Sequence, residues 1–202
     1  VDQPFSQDGT ALVQPSAPNA ATQIALFRAT LAAPVSDDLK SYDLVWLLHL
    51  VGDVHQPLHC VSRFDQANPS GDRGGNNVSI TGNAQPPVCD DPQYCPFGPP
   101  NELHAFFDDI TGSGYGVSAV ELAASKLPAA DPQKAAILDE KVWIAEGLEL
   151  AKSKIYVAPI LQGHGPFTIT AEYQAAALTL GKARIALAGA RLAKLLNDAL
   201  GK

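Results

Sequence analysis

Apolar residues recur at helical spacing along most of this chain. Residues 19–31 (NAATQIALFRATL) predict a first helix. Ser36 or Asp37 caps a second, whose apolar positions Tyr42, Leu44, Val45, Trp46, Leu48, Leu50 and Val51 fill most faces. A helix that apolar is expected to be buried. Pro57 stops it, because proline lacks the backbone N–H that a helix interior uses. Helical character returns at residues 101–110 and again at 117–127. A long amphipathic stretch follows Pro132, through Val142, Trp143, Ile144, Leu148 and Leu150 to Ile155, and a last Ala- and Leu-rich helix runs from near Thr170 to Leu200. Residues 1–18 are polar and Pro-rich and read as irregular. Residues 62–100 are rich in Gly, Asn, Asp and Pro, which predicts a long loop region with one small hairpin around residues 78–80. A loop this long in a compact domain is more often functional than idle. No repeat or linker divides the chain, so the expectation is one mainly α domain over residues 1–202 carrying a single elaborate loop.

Composition narrows the class. At 202 residues and 46% hydrophobic, the chain can build a sizeable core. No apolar run reaches membrane-spanning length, so no membrane partner is expected. The formal net charge of −7 argues against unspecific affinity for nucleic acid, which needs phosphate neutralisation, unless bound divalent metal reverses the local sign. Of the three cysteines, Cys89 and Cys95 flank a short loop. They are expected to form a local disulfide, which implies an oxidising compartment, secreted or periplasmic; the alternative is two thiols. Cys60 is then odd.

The candidate chemistry sits in two histidine clusters. In LLHLVGDVHQPLHC, His49 and Asp53 are four apart and project from one helical face. His59 follows the break at Pro57 and can approach from another direction. In NELHAFFDDI, His104 and Asp108 repeat the four-residue spacing. Imidazole and carboxylate are ligands that zinc takes. The alternatives are helical surface pairs or buried, hydrogen-bonded histidines; the apolar neighbours of His49 speak for burial. His55 falls on another helix face and reads as supporting or structural, and His164, in GHGPF, as a solvated loop residue. No nucleophile elbow, phosphate-cradling glycine loop or zinc-ribbon spacing competes.

The run HLVGDVHQPLH at residues 49–59 resembles the signature of the trinuclear zinc single-strand nucleases, the S-one/P-one family that includes mung bean nuclease. GDRGGN at residues 71–76, NELHAFFD, WIAEGLELAKSKIY at 143–156 and AGARLAKLLN at 188–197 follow in the family's order. The resemblance therefore covers essentially the whole chain. It implies the helical phospholipase C/nuclease-type fold. It further implies hydrolysis of phosphodiester bonds in RNA and single-stranded DNA to 5′-phosphoryl products, with 3′-nucleotidase activity on nucleotides. Three zinc ions would serve the intact enzyme.

Carried over residue by residue, the resemblance makes His49 and Asp53 ligands of a close zinc pair, with Asp53 reaching both ions and taking part in catalysis. It makes His59, His104 and Asp108 the ligands of the remaining zinc, the one complete set in this chain. The related bacterial zinc phospholipases C carry Glu where this chain has Asp108, which favours a nuclease; such a phospholipase and an inactive metal-binding protein stand as alternatives. The family's first ligands, beginning with a free N-terminal Trp, have no counterpart here. VDQPF looks like the continuation of the segment that carries them, with Asp2 matching the residue that hydrogen-bonds the nucleobase. The expectation is that these residues alone are inactive, and that a cleaved N-terminal segment is a possible partner.

Overall fold

A computed structural model describes residues 3–82, 100–112 and 117–201. Asp2, Cys89 and Cys95 lie outside the described residues. The architecture is mainly α: seven α-helices and two small two-stranded sheets among the described residues.

The helices start where the sequence supplies caps. In α1 (Ala20–Ala32), the Asn19 side chain accepts from Thr22 N–H while the Thr22 hydroxyl accepts from Asn19 N–H. This reciprocal cap satisfies two donors that the first turn leaves free. Ser36 caps α2 (Asp37–Asp53), with Asp37 and Asp38 at the positive end of its dipole. Pro57 does not cut α2 directly. The helix closes at Asp53, and Pro57 opens a 3-10 turn, Pro57–Cys60. Beyond α3 (Leu103–Asp108), α4 (Val117–Ser125) and the short α5 (Pro132–Ala135), α6 (Glu140–Leu150) runs into a π-helical turn, Ala151–Ile155. Thr170 caps α7 (Ala171–Leu200), the longest element.

Three expectations are corrected. Residues 3–6, read as irregular, form strand β1 (Gln3–Ser6), which pairs in parallel with β2 (Val61–Phe64). Four residues interrupted by Pro4 carry no alternation that a sequence reading could detect, and proline is tolerated because both strands are sheet edges. The expected hairpin around residues 78–80 is instead β3 (Ile80–Gly82), paired in parallel with the distant β4 (Phe167–Ile169). Nor is α2 buried throughout. Leu47 and Val51 enter the core, whereas Tyr42, Val45, Trp46 and Leu48 are exposed, because α1 and α7 cover one side of the helix.

The core gathers Ile24 and Leu31 of α1, Leu47 and Val51 of α2, Leu58 of the turn, Trp143 and Ile144 of α6, and Leu195 of α7. Gly147 lets α6 approach the 3-10 turn closely: a Cβ there would lie 2.9 Å from the Cβ of Cys60. Inside this apolar mass sits a charged cluster. Arg191 of α7 is fully buried and grips Glu146 of α6 through two guanidinium nitrogens, at 2.8 and 2.7 Å. Arg184, about two turns earlier on nearly the same face of α7, donates to Glu146 at 2.9 Å and to the His55 carbonyl at 2.9 Å. Burial pushes the Glu146 carboxyl up, but the bonds from Arg191 and Arg184 outweigh it and hold its pKa at about 2.

His55 joins the same cluster. Its Nδ1 donates to the Val51 carbonyl at 2.7 Å, and its Nε2 accepts from Arg191 at 3.0 Å. Burial, then Arg184, holds its pKa at about 3, so the ring is neutral. The structural reading of His55 is therefore the one its contacts support.

A second buried cluster organises the segment expected to be a long loop. Arg63, Asp65, Asn68 and Asp72 are all buried. Asp72 accepts from the Arg63 backbone N–H at 2.9 Å and from the Tyr156 hydroxyl at 2.7 Å. The Arg63 guanidinium donates to the carbonyls of Leu161 and Gly163 at 2.7 and 3.0 Å and lies 4.6 Å from the Tyr156 ring centre. The polar composition that reads as loop is here a packed internal network.

Two outcomes follow. Replacing Glu146 by Leu leaves two buried guanidiniums without their carboxylate and should cost roughly 3–5 kcal/mol in denaturant unfolding. His55 has a folded pKa of about 3 against an ordinary 6.5, so the unfolded chain takes up this proton first as pH falls. The stability His55 contributes is complete above 6.5 and is lost progressively towards 3. In metal-free protein, the stability gap between wild type and His55→Asn should narrow from about pH 7 to about pH 4. A gap that stays constant over this range would contradict the neutral, buried ring.

Candidate metal centre

The end of α2, the 3-10 turn and α3 bring the two histidine clusters together. His49 and Asp53, one turn apart on α2, meet at 3.1 Å between Nε2 and Oδ2. The other Asp53 oxygen, Oδ1, faces His59 Nδ1 at 3.6 Å. On its far side His59 Nε2 lies 3.0 Å from Asp108 Oδ1, and His104 Nε2 lies 3.5 Å from Asp108 Oδ2. The His59 and His104 rings stack with centres 4.8 Å apart and an interplanar angle of 9°. Asp53 thus links a chain of five side chains: His49, Asp53, His59, Asp108 and His104.

Within this chain His59, His104 and Asp108 form a compact group whose ligand atoms all lie within 4.8 Å of one another. The structure thereby places together the three residues that the family resemblance grouped. His49 stands apart from that group. The burial expected around His49 and Asp53 is not found: the His49 side chain is 63% exposed and Asp53 is 33% exposed. Leu48 beside them also faces outward, since this is the uncovered side of α2.

Electrostatics follow from the geometry. Burial works against a charge on His59, but the bond to Asp108 and the fields of Asp108 and Asp53 outweigh it and raise its pKa. Burial likewise pushes Asp108 up, while bonds from His59 and Gln56 prevail and lower it. Both shifts express the attraction between the His59 ring and the carboxylates of Asp108 and Asp53, which would serve a metal cation in the same way.

The donor set suits zinc. Two imidazole nitrogens and a carboxylate oxygen are the N and O ligands zinc prefers. His104 Nδ1 donates to the Gly74 carbonyl at 2.8 Å, which fixes the ring and leaves Nε2 to face the group. That carbonyl is delivered by a left-handed turn: Arg73, Gly74 and Gly75 have φ of 55°, 63° and 86°. Only glycine fits the middle position, because a Cβ on Gly74 would fall 2.3 Å from the Leu58 carbonyl oxygen. GDRGGN was legible as a motif, but its role was not. Asp72 anchors the turn from inside, and Gly74 aims its carbonyl at His104.

Beside the group opens a pocket of about 250 Å³ whose lining includes Asp53, Gln56, His59 and Asp108 together with apolar residues such as Phe107 and Ile185. His164 is exposed, as expected, and its Nδ1 pairs with the Asn77 carbonyl at 3.1 Å, away from the group.

Gly74→Ala should disturb this arrangement through both its Cβ contact and its backbone conformation. We expect a destabilisation of about 1–3 kcal/mol in denaturant unfolding of the metal-free protein. His104 should also lose order, seen as altered imidazole NMR shifts. Unchanged shifts at His104 would separate the turn from the site.

The model of the S1/P1 Nuclease family matches residues 2–201, nearly the whole chain. A search among curated proteins finds no match.

Proposed function

Starting from the fact that this chain belongs to the S1/P1 nuclease family, we propose that it is the zinc-binding part of an endonuclease acting on single-stranded DNA and RNA. The observation that carries this reading is the meeting of His59, His104 and Asp108 within 4.8 Å in a chain of that family. The family is generally zinc-dependent, and the donor set suits that ion. The products are 5′-phosphoryl ends, and 3′-phosphates of nucleotides are a further substrate.

The roles of the residues follow from their placement. His59, His104 and Asp108 would hold one zinc, with His104 kept in position by Gly74. Asp53, with one oxygen towards His49 and the other towards His59, would join this position to a second one. Zinc bound here supplies positive charge that draws phosphate oxygens and offsets charge developing during hydrolysis. The acidic chain needs such a cation, because a net charge of −7 otherwise repels a polyanion. His49 and Asp108 are the most open members, at 63% and 44% side-chain exposure, and give a polymer access.

Among the described residues, His49 and Asp53 offer two ligands where a zinc site takes about four. We assign the missing donors to a segment that docks beside them on the exposed face of α2, where Val45 and Leu48 stand uncovered. On this reading residues 1–202 alone bind zinc at one position and are inactive. Asp2 is assigned to the nucleobase. The Cys89–Cys95 disulfide and a secreted or periplasmic location belong to the same proposal. No helix among the described residues is long and apolar enough to cross a membrane.

The test has two parts. The 202-residue chain should hold one tight zinc that His104→Ala abolishes and His49→Ala spares, as read by metal analysis after dialysis. The full-length natural protein should cleave single-stranded DNA and RNA, lose activity to a chelator and regain it with zinc. Hydrolysis of phosphatidylcholine alone would make it a phospholipase, and zinc binding without turnover would make it an inactive metal-binding protein.

A further inference from the structure

The three donors of the compact group are carried by separate pieces of chain. His59 lies in the 3-10 turn, while His104 and Asp108 lie on α3. Asp108 is the last residue of that six-residue helix and is 44% exposed. An exposed carboxylate at a helix end has rotamer freedom that it must give up to hold a metal. Something must fix it relative to His59.

Gln56 makes contacts of the kind required. Its Nε2 donates to Asp108 Oδ1 at 3.0 Å. Its Oε1 accepts from Leu58 N–H at 2.6 Å, capping the turn that carries His59. One side-chain amide thus spans 52 residues of sequence and ties the turn bearing one donor to the carboxylate of another. With Oδ1 engaged by Gln56 and His59, Oδ2 is left facing His104 Nε2 at 3.5 Å.

The chemistry calls for an amide here. A carboxylate would accept from Leu58 but repel Asp108, and an ammonium would donate to Asp108 but not cap the turn. The amide nitrogen has no lone pair to offer a metal, so Gln56 acts on the ligands and not as one of them.

We infer that Gln56 is a positioning residue that presets Asp108 and His59 for metal. The inference rests on the zinc reading above and concerns how the site is held, which that reading leaves open. Partners of this kind change metal affinity by roughly 10–100-fold.

Two substitutions separate the cap from the bridge. Asparagine caps a helix start as well as any residue, but it is one methylene shorter and falls short of Asp108. Methionine keeps the length and loses both bonds. Zinc affinity of the 202-residue chain is measured by competition with a chromophoric chelator, and melting of the metal-free chain is measured alongside it. Gln56→Asn should bind zinc roughly 10–100-fold more weakly with unchanged metal-free melting. Gln56→Met should show at least the same loss of affinity together with a lower melting point. Zinc affinity of Gln56→Asn equal to wild type overturns the inference. So does a fall in its metal-free melting as large as that of Gln56→Met, because the effect is then the cap's. His104→Ala is the control for the site itself. If it binds zinc as wild type does, the zinc reading fails, and this inference with it.

Discussion

Two arginines buried on one helix set the terms for the rest of the molecule. Arg184 and Arg191 are seven residues apart, so they project from nearly the same face of α7 into the core. A buried guanidinium without a partner is strongly destabilising, so helices that can supply acceptors must lie where they do. Glu146 brings α6 against α7, and the His55 carbonyl and ring bring the end of α2 to the same point. His55 stands two residues after Asp53 and four before His59. The charge pairing inside the core therefore fixes the segment that bears the candidate ligands.

The second buried cluster does the same for the other half of the site. Asp72 binds the Arg63 backbone and the Tyr156 hydroxyl, which pins the Gly-rich turn between β2 and the π-helical turn after α6. Burial raises the pKa of Asp72, and burial with the neighbouring Asp72 raises that of Tyr156 well above the ordinary value for a phenol. The turn held this way carries the Gly74 carbonyl to His104. Both histidine clusters are thus oriented from inside the protein by largely buried polar groups. The face that bears the candidate ligands can then stay open while its geometry remains set.

The uncovered side of α2 gives the site its asymmetry. The compact group is partly sheltered, with His59 and His104 at 24% and 19% side-chain exposure, whereas His49 stands on the surface beside Val45 and Leu48. Tyr42, Trp46 and His49 also contact one another edge to face along that surface, with ring centres 6.3 and 6.4 Å apart.

Local chemistry wrote much of this into the sequence. The cap at Ser36, the 3.6-residue spacing of apolar positions and the break near Pro57 placed the starts of the principal helices to within a few residues. The spacing of four in His49–Asp53 and His104–Asp108 put each pair on one face, and the signature they sit in named the family that the chain belongs to. What the sequence could not carry were relations between distant segments. Parallel pairing of β3 with β4, and of β1 with β2, joins short strands too far apart for any periodicity to link. The exposure of His49 depended on which side of an apolar helix its neighbours cover, and most faces of α2 looked fit for burial. The polar residues of the Gly-rich segment read as loop because a buried Asp or Arg is told from a solvated one only by its partners, and those lie up to 100 residues away. Gln56 and Gly74 had no visible task for the same reason: each bonds to a candidate ligand that only the folded chain brings within hydrogen-bonding distance.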